Sequence, residues 1–348
     1  NAKIQKLAGV FPYFYNLTGQ PGLIGRSLLP TYTGTVPLPW MGPVDESRWV
    51  RSSANGEWWL NRPNKDQVNM ACVGLGIALA LDRKGDIQLS AAAEQALIDA
   101  LVPMVRRVVN DGYLVLDAQG NKTKHPDFTP NAALIFPNGF NRVMALQLLA
   151  GAAPYDSALQ TEYEAKLPSW GTGYAWTLCL SGSWTRGRGH WKRSGNVGSS
   201  DAQAFAMSAC SFLLQENRAD YVKTAKKGLE GWWRFMKHEP NGVYTPIYAH
   251  FVETDPQQKA ALMQGVLAEL RDFPPVKMQS PPSSQLTPKL VQPIHNRVVD
   301  VNYWKANPFL QMPPTPATTN RRVAGMDYLL SYWMSRYFGL IADTPSGQ

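Results

Sequence analysis

The chain has 348 residues, 44% of them hydrophobic and 17% charged, which excludes a largely disordered polymer. Lys and Arg number 34 against 26 Asp and Glu, for a formal charge of +8, and 12 Trp, 14 Tyr and 12 Phe make 11% of the chain aromatic. That is more flat apolar surface than a core of this length needs, so some rings are expected to line a cleft.

Taken in chain order, the apolar residues follow a 3.6-residue period over Lys3–Leu17, a segment that Gly19, Pro21 and Gly22 bring to an end. A second helix is predicted over Asn64–Leu81, with Asp82-Arg-Lys-Gly85 as its exit. Ser90 reads as the N-cap of a third, whose apolar positions continue from Leu97 to Val108. Asp111–Asp117, followed by Ala-Gln-Gly120, has the alternation and the turn residue of a short hairpin. Helices follow over Asn138–Leu149, Asp156–Leu167, Ser200–Leu214, Ala219–Lys237, Pro256–Leu270 and Gly325–Phe338. Residues 274–316, rich in Pro, Ser and Gln, read as a long loop packed over the body. Short connections pair these helices into hairpins and no stretch reads as a domain linker, so one all-α domain over 1–348 is expected.

The longest nearly apolar stretch, Val68 to Leu81, falls short of the roughly 20 residues a membrane span requires. The chain opens at Asn1 directly into a helical pattern without Met, so a preceding segment, an export signal included, is expected. Cys72, Cys179 and Cys210 are odd in number and widely spaced, which suggests neither a disulfide framework nor a zinc site. Cys72 and Cys210 sit in apolar helical stretches and read as buried thiols. His125, His190, His238, His250 and His295 show no metal-ligand spacing, and neither a phosphate-binding loop nor a serine nucleophile elbow is present. No metal and no cofactor is therefore expected. Nucleic acid is not an expected partner either, because no helix carries a basic stripe and no recognition fingerprint occurs.

Four segments carry a resemblance. They are Leu17-Thr-Gly-Gln-Pro-Gly-Leu-Ile-Gly-Arg26-Ser; Arg51-Ser-Ser with Asn64-Lys-Asp66-Gln67-Val; Asn196-Val-Gly-Ser-Ser200-Asp201-Ala-Gln-Ala-Phe with Ile247-Tyr248-Ala249; and Tyr303-Trp304-Lys-Ala-Asn307-Pro308-Phe with the run from Asp327 to Tyr337. In this order they resemble a group of bacterial proteins, usually exported, of α-toroid (six-hairpin glycosidase-like) architecture. The resemblance spans most of the chain. It implies a helical-hairpin (α/α) toroid with a few short β-hairpins and long loops, and a periplasmic or extracellular location. Where that group has Asp-Glu entering a helix, this chain has Asp66-Gln67, which removes one acid.

Glycoside hydrolysis needs two carboxyl groups, one protonated to assist the leaving group and one ionised to attack or to activate water. Asp66 and Asp201 are the best pair, each at the start of an apolar helix in a resembling segment, although first-turn acids favour that position for helix stability alone. Glu57, beside Trp58 and Trp59, is a third candidate, because a carboxyl held against indoles would suit a general acid. In a closed ring of hairpins, Trp58-Trp59, Asn138 and Ser199-Ser200-Asp201 would lie at helix ends facing one cleft.

The stretch from Ser183 to Arg193 sets Arg186, Arg188, His190, Lys192 and Arg193 among glycines, between Trp184 and Trp191. It reads either as a clamp for an anionic ligand or as a solvated basic loop anchored by its indoles. The leading expectation is a glycoside hydrolase on a polysaccharide or oligosaccharide, anionic ones included. Trp58, Trp59 and Trp184 would stack on sugar faces while Arg26, Arg51, Arg186 and Arg188 orient the substrate. The basic loop also suits a lyase on a uronate glycan, with His190 removing the proton. The loss of the acid at Gln67 suits a third reading, a non-catalytic glycan-binding or scaffold protein. Oligomeric state is not legible.

Overall fold

The helix-forming periodicities persist in the structure, and their ends are made by the residues that cap them. A computed structural model describes residues 2–29, 48–129, 138–172, 199–237, 241–273 and 325–342, with short stretches at 276–277, 285–286, 293–294, 304, 310–311 and 321–322. The described residues are mostly helical, with few and short strands. By contacts the chain divides into two units, one of residues 1–134, 141–172 and 211–217, the other of 135–140, 173–210 and 218–348.

In the first unit the predicted N-terminal helix is two, α1 (Ala2–Ala8) and α2 (Val10–Thr18). Pro12 explains the break, since it has no N–H for the Ala8 carbonyl and its ring crowds that group, whereas the first turn of a new helix tolerates it. Strands β1 (Leu28–Leu29), β2 (Trp49–Arg51) and β3 (Trp58–Leu60) form an antiparallel sheet in the order β1-β3-β2, which two- and three-residue strands left unsignalled in sequence. Its inner face joins Leu17 and Leu23 through Trp59, with Phe14, Leu28 and Val50 packed around them.

Helix α3 (Lys65–Arg83) is capped by Asn64, whose Oδ1 accepts the Gln67 N–H at 2.9 Å, and α4 (Ala91–Asn110) by Ser90, whose Oγ accepts the Ala93 N–H. A short connection turns α4 back against α3. The predicted hairpin is β4 (Leu114–Leu116) and β5 (Lys122–Asp127), its turn held by Asp117 Oδ1 accepting the N–H groups of Gln119 and Asn121.

Helix α5 (Asn138–Ala152) runs in the same sense as α3. Lys65 meets Asn141 near the start of both, Asn69 meets Gln147 further on, and a Cβ on Gly76 would stand 3.6 Å from Gly151 Cα. Helix α6 (Ser157–Trp170) follows, capped by Asp156. The last residues of α7 (Ser199–Gln215) continue the pattern, with Ser211 on Gln147 and the Gln215 side chain between Gly76 and Gly151.

The second unit contains α8 (Ala219–Met236), α9 (Tyr244–Phe251), α10 (Pro256–Arg271) and α11 (Met326–Tyr337). Helix α9, eight residues long, was too short to show a period. Asn241 starts it, its Oδ1 accepting the N–H groups of Val243 and Tyr244 while its Nδ2 donates to the Trp304 carbonyl at 3.0 Å. Trp232 and Tyr244 meet edge to face at 5.3 Å, both fully buried. The chain approaches α11 through Gly242, where a Cβ would lie 2.3 Å from Ser331 Oγ. Backbone pairs β6–β9 (Val276–Lys277 with Arg321–Arg322) and β7–β8 (Gln285–Leu286 with Leu310–Gln311) interrupt the stretch read as loop. No helix among the described residues is long and apolar enough to cross a membrane.

Candidate functional site

Two groupings in the first unit hold the sequence-predicted residues that the structure describes. The first lies where α3 and α5 begin. Asn64, by capping α3, sets Asp66 in the first turn, half-buried and without a hydrogen bond or ion pair to the described residues. Beside it Lys65 Nζ donates to Asn141 Oδ1 at 2.9 Å, and Asn141 Nδ2 donates in turn to the Thr129 carbonyl at 3.2 Å. Gln67, which stands where the resemblance has an acid, buries its Oε1 without a partner among the described residues, and Arg142 does the same with Nε. This helix start thus carries, on successive positions, an ammonium bound to an amide and a carboxylate without a partner among the described residues, groups that bind hydroxyls and move protons.

The second grouping surrounds the β-sheet. Glu57 is half-buried, and its Oε2 accepts the Tyr13 hydroxyl and Asn55 Nδ2, the latter at 2.8 Å. The Glu57 bond raises the Tyr13 hydroxyl above its ordinary pKa, helped by partial burial and the nearby charge and opposed by Asn55. Its hydrogen-bond partners are therefore a phenol 44 residues away and an amide two residues before it. Pairing of Arg51 with Trp58 and of Trp49 with Leu60 sets these four side chains on the sheet face opposite the core. Arg51 is exposed and its Nε donates to the Gly56 carbonyl at 3.2 Å. Arg26 is also exposed, its backbone N–H donating to the Leu60 carbonyl.

One expectation is corrected by burial. Trp59 is 1% exposed and faces the core, so its ring cannot stack on a sugar, because alternation along β3 turns it away from Trp58. Trp304 is likewise fully buried, and its Nε1 donates to the Asp327 carbonyl. Trp333, by contrast, is 58% exposed, while Ser331 and Ser335 of the same helix are buried. Small side chains there permit close approach to Gly242, which turns the bulky ones outward.

Asp201 lies in the first turn of α7, its side chain outside the described residues, as are Trp184, Arg186, Arg188 and His190. Cys72 and Cys210 are buried as read, and burial pushes the Cys72 thiol well above its ordinary pKa. His125 lies exposed on β5, and His250 stacks on Phe338 at 4.1 Å. Among the described residues no three His, Cys, Asp or Glu side chains form a metal-binding group.

Tyr13, Asn55, Asn141 and Trp49 escaped the sequence reading. The first three act on groups 44, 2 and 76 residues away, respectively. Only Trp49 had a signal, the alternation Trp49-Val-Arg51 beside Trp58-Trp-Leu60. No family model matches the chain, and neither a curated protein nor a solved structure is found to be similar to it.

Proposed function

We propose that this protein is a carbohydrate-active enzyme, a glycoside hydrolase built as a helical-hairpin toroid and working in the periplasm or outside the cell. The observation that carries the reading is Asp66, a half-buried carboxylate in the first turn of α3 without a partner among the described residues. The co-directional run of α3, α5 and the end of α7, separated in sequence by α4 and α6, supports the architecture. Asp201, in the first turn of α7, is the second carboxyl group in this reading. One of the two would protonate the glycosidic oxygen and the other would attack the anomeric carbon or activate water.

Reducing-sugar release across a panel of neutral and acidic polysaccharides tests the proposal. Asp66→Asn and Asp201→Asn should each lower kcat by about 10²–10⁴-fold with the far-ultraviolet dichroism unchanged. Full activity in both variants overturns the assignment.

A further inference from the structure

The outward face of β2 and β3 combines features that neither strand has alone. Trp49 and Trp58 are half-buried there, on diagonal positions of neighbouring strands, with Arg51 directly opposite Trp58. The inner face of the same strands is committed to the core through Val50 and Trp59, so the outer one is backed by a packed layer. Arg51 is oriented by one bond, Nε to the Gly56 carbonyl at 3.2 Å. Gly56 has φ of 75°, a left-handed turn residue, and a Cβ on it would lie 3.5 Å from Arg51 Nη2. The two Nη groups of this exposed side chain make no hydrogen bond or ion pair with the described residues, which leaves the end-on edge of the guanidinium uncommitted among them.

We propose that this face is a binding subsite for an acidic sugar, a uronate residue of a glycan chain. The proposal rests on the carbohydrate reading above and adds to it the class of substrate. The C–H face of a pyranose ring is apolar and flat, and a half-exposed indole offers it a matching surface. A guanidinium fork donates two parallel N–H bonds to a carboxylate, a charge-assisted pairing about twice as strong as the neutral bonds that a hexose hydroxyl offers. One oriented guanidinium meets one carboxylate per sugar, whereas a nucleic-acid strand requires a row of cations along its phosphates.

The test is calorimetric binding to the full chain of oligogalacturonate and oligoguluronate, compared with neutral cello- and malto-oligosaccharides of equal length. The acidic chains should bind, and more weakly as salt is raised. Trp58→Ala should weaken their binding by about tenfold or more. Arg51→Gln should remove the preference for acidic over neutral chains, and Arg51→Lys should restore only part of it. Arg51 is exposed, so its variants test the idea even if Trp58→Ala fails to fold. Equal binding of acidic and neutral chains, an unaltered preference in Arg51→Gln, or equally effective competition by single-stranded DNA overturns the proposal. Hydrolysis of a neutral glycan that depends on Asp66 and ignores Arg51 removes this subsite and leaves the enzyme reading standing. Acidic-glycan binding that depends on Arg51, without hydrolysis of any glycan, does the reverse.

Discussion

Gly22 has φ of 79°, and a Cβ there would stand 2.2 Å from the carbonyl oxygen of Pro103. Gly120 has nearly the same φ, 81°, with nothing within 4 Å of its Cβ position. Gly120→Ala should therefore cost about 1–2 kcal/mol, the left-handed strain alone. Gly22→Ala should cost about 2–5 kcal/mol, because the α4 backbone must move as well. Urea unfolding of both variants measures the difference, and equal costs would mean that the approach to Pro103 yields freely.

Asp156 shows a second residue-scale effect. Burial alone would raise its carboxyl, but the N–H of Leu159, the Arg106 guanidinium and the N–H of Ala158 outweigh it and hold the group below the ordinary value of 3.8. A depressed carboxyl contributes stability that is complete above the unfolded value and is lost as pH falls through the lower folded one. Stability should thus decline below about pH 4. Asp156→Asn keeps a capping oxygen but not the charge, so it should flatten this acid limb. At neutral pH it should cost about 1 kcal/mol, because Arg106 is mostly exposed and screened. Thermal melts from acid to neutral pH check both outcomes.

At the scale of elements, α3, α5 and the end of α7 are joined by a buried polar chain. Gln215 Nε2 donates to Ser211 Oγ at 2.6 Å, Ser211 donates to Gln147 Oε1 at 3.1 Å, and Gln147 Nε2 donates to Asn69 Oδ1 at 2.9 Å. Asn69, Gln147 and Ser211 are all fully buried, so truncating one strands the others away from water. Gln147→Leu should cost about 2–4 kcal/mol. A double-mutant cycle with Asn69→Leu should give a coupling of about 1–3 kcal/mol, since the double variant removes both ends of the bond. Additive costs in denaturant titrations would mean that the pair is replaced by water.

The helices themselves were legible because their signals are local. Asn64, Ser90 and Asp156 cap where their side chains reach the next N–H groups, whatever the rest of the chain does. The sheet of β1, β2 and β3 was not legible, because a two- or three-residue strand exists only through its partners. The break at Gly9 was readable in principle from Pro12, but the apolar period ran across it.

At the scale of the molecule, the buried thiols give a direct check. In a Cys179→Ser variant, Cys72 and Cys210, at 1% and 2% exposure, should stay unreactive toward a thiol reagent until the protein is denatured. Rapid labelling of the native protein would show that the apolar helices around them open easily. The aromatic excess divides in the same manner. Trp59, Trp232 and Trp304 are core, while Trp49 and Trp58 are only half-buried and Trp333 is exposed. The long-range polar contacts of the two groupings also emerge only here, as Tyr13 on Glu57 and Asn141 on Lys65 show.

Composition, periodicity and capping residues were enough to determine a mostly helical chain, the position of nearly every long helix, the β4–β5 hairpin and the burial of Cys72 and Cys210. Each depends on neighbours within a few residues, or on hydrophobicity that has one outcome in water. Which indole faces the core, which stands beside Arg51, and which hydroxyl binds Glu57 were decided by tertiary structure. Those outcomes depend on strand register and on side chains tens of residues apart, and a shift of one residue in β3 would have exchanged Trp58 for Trp59.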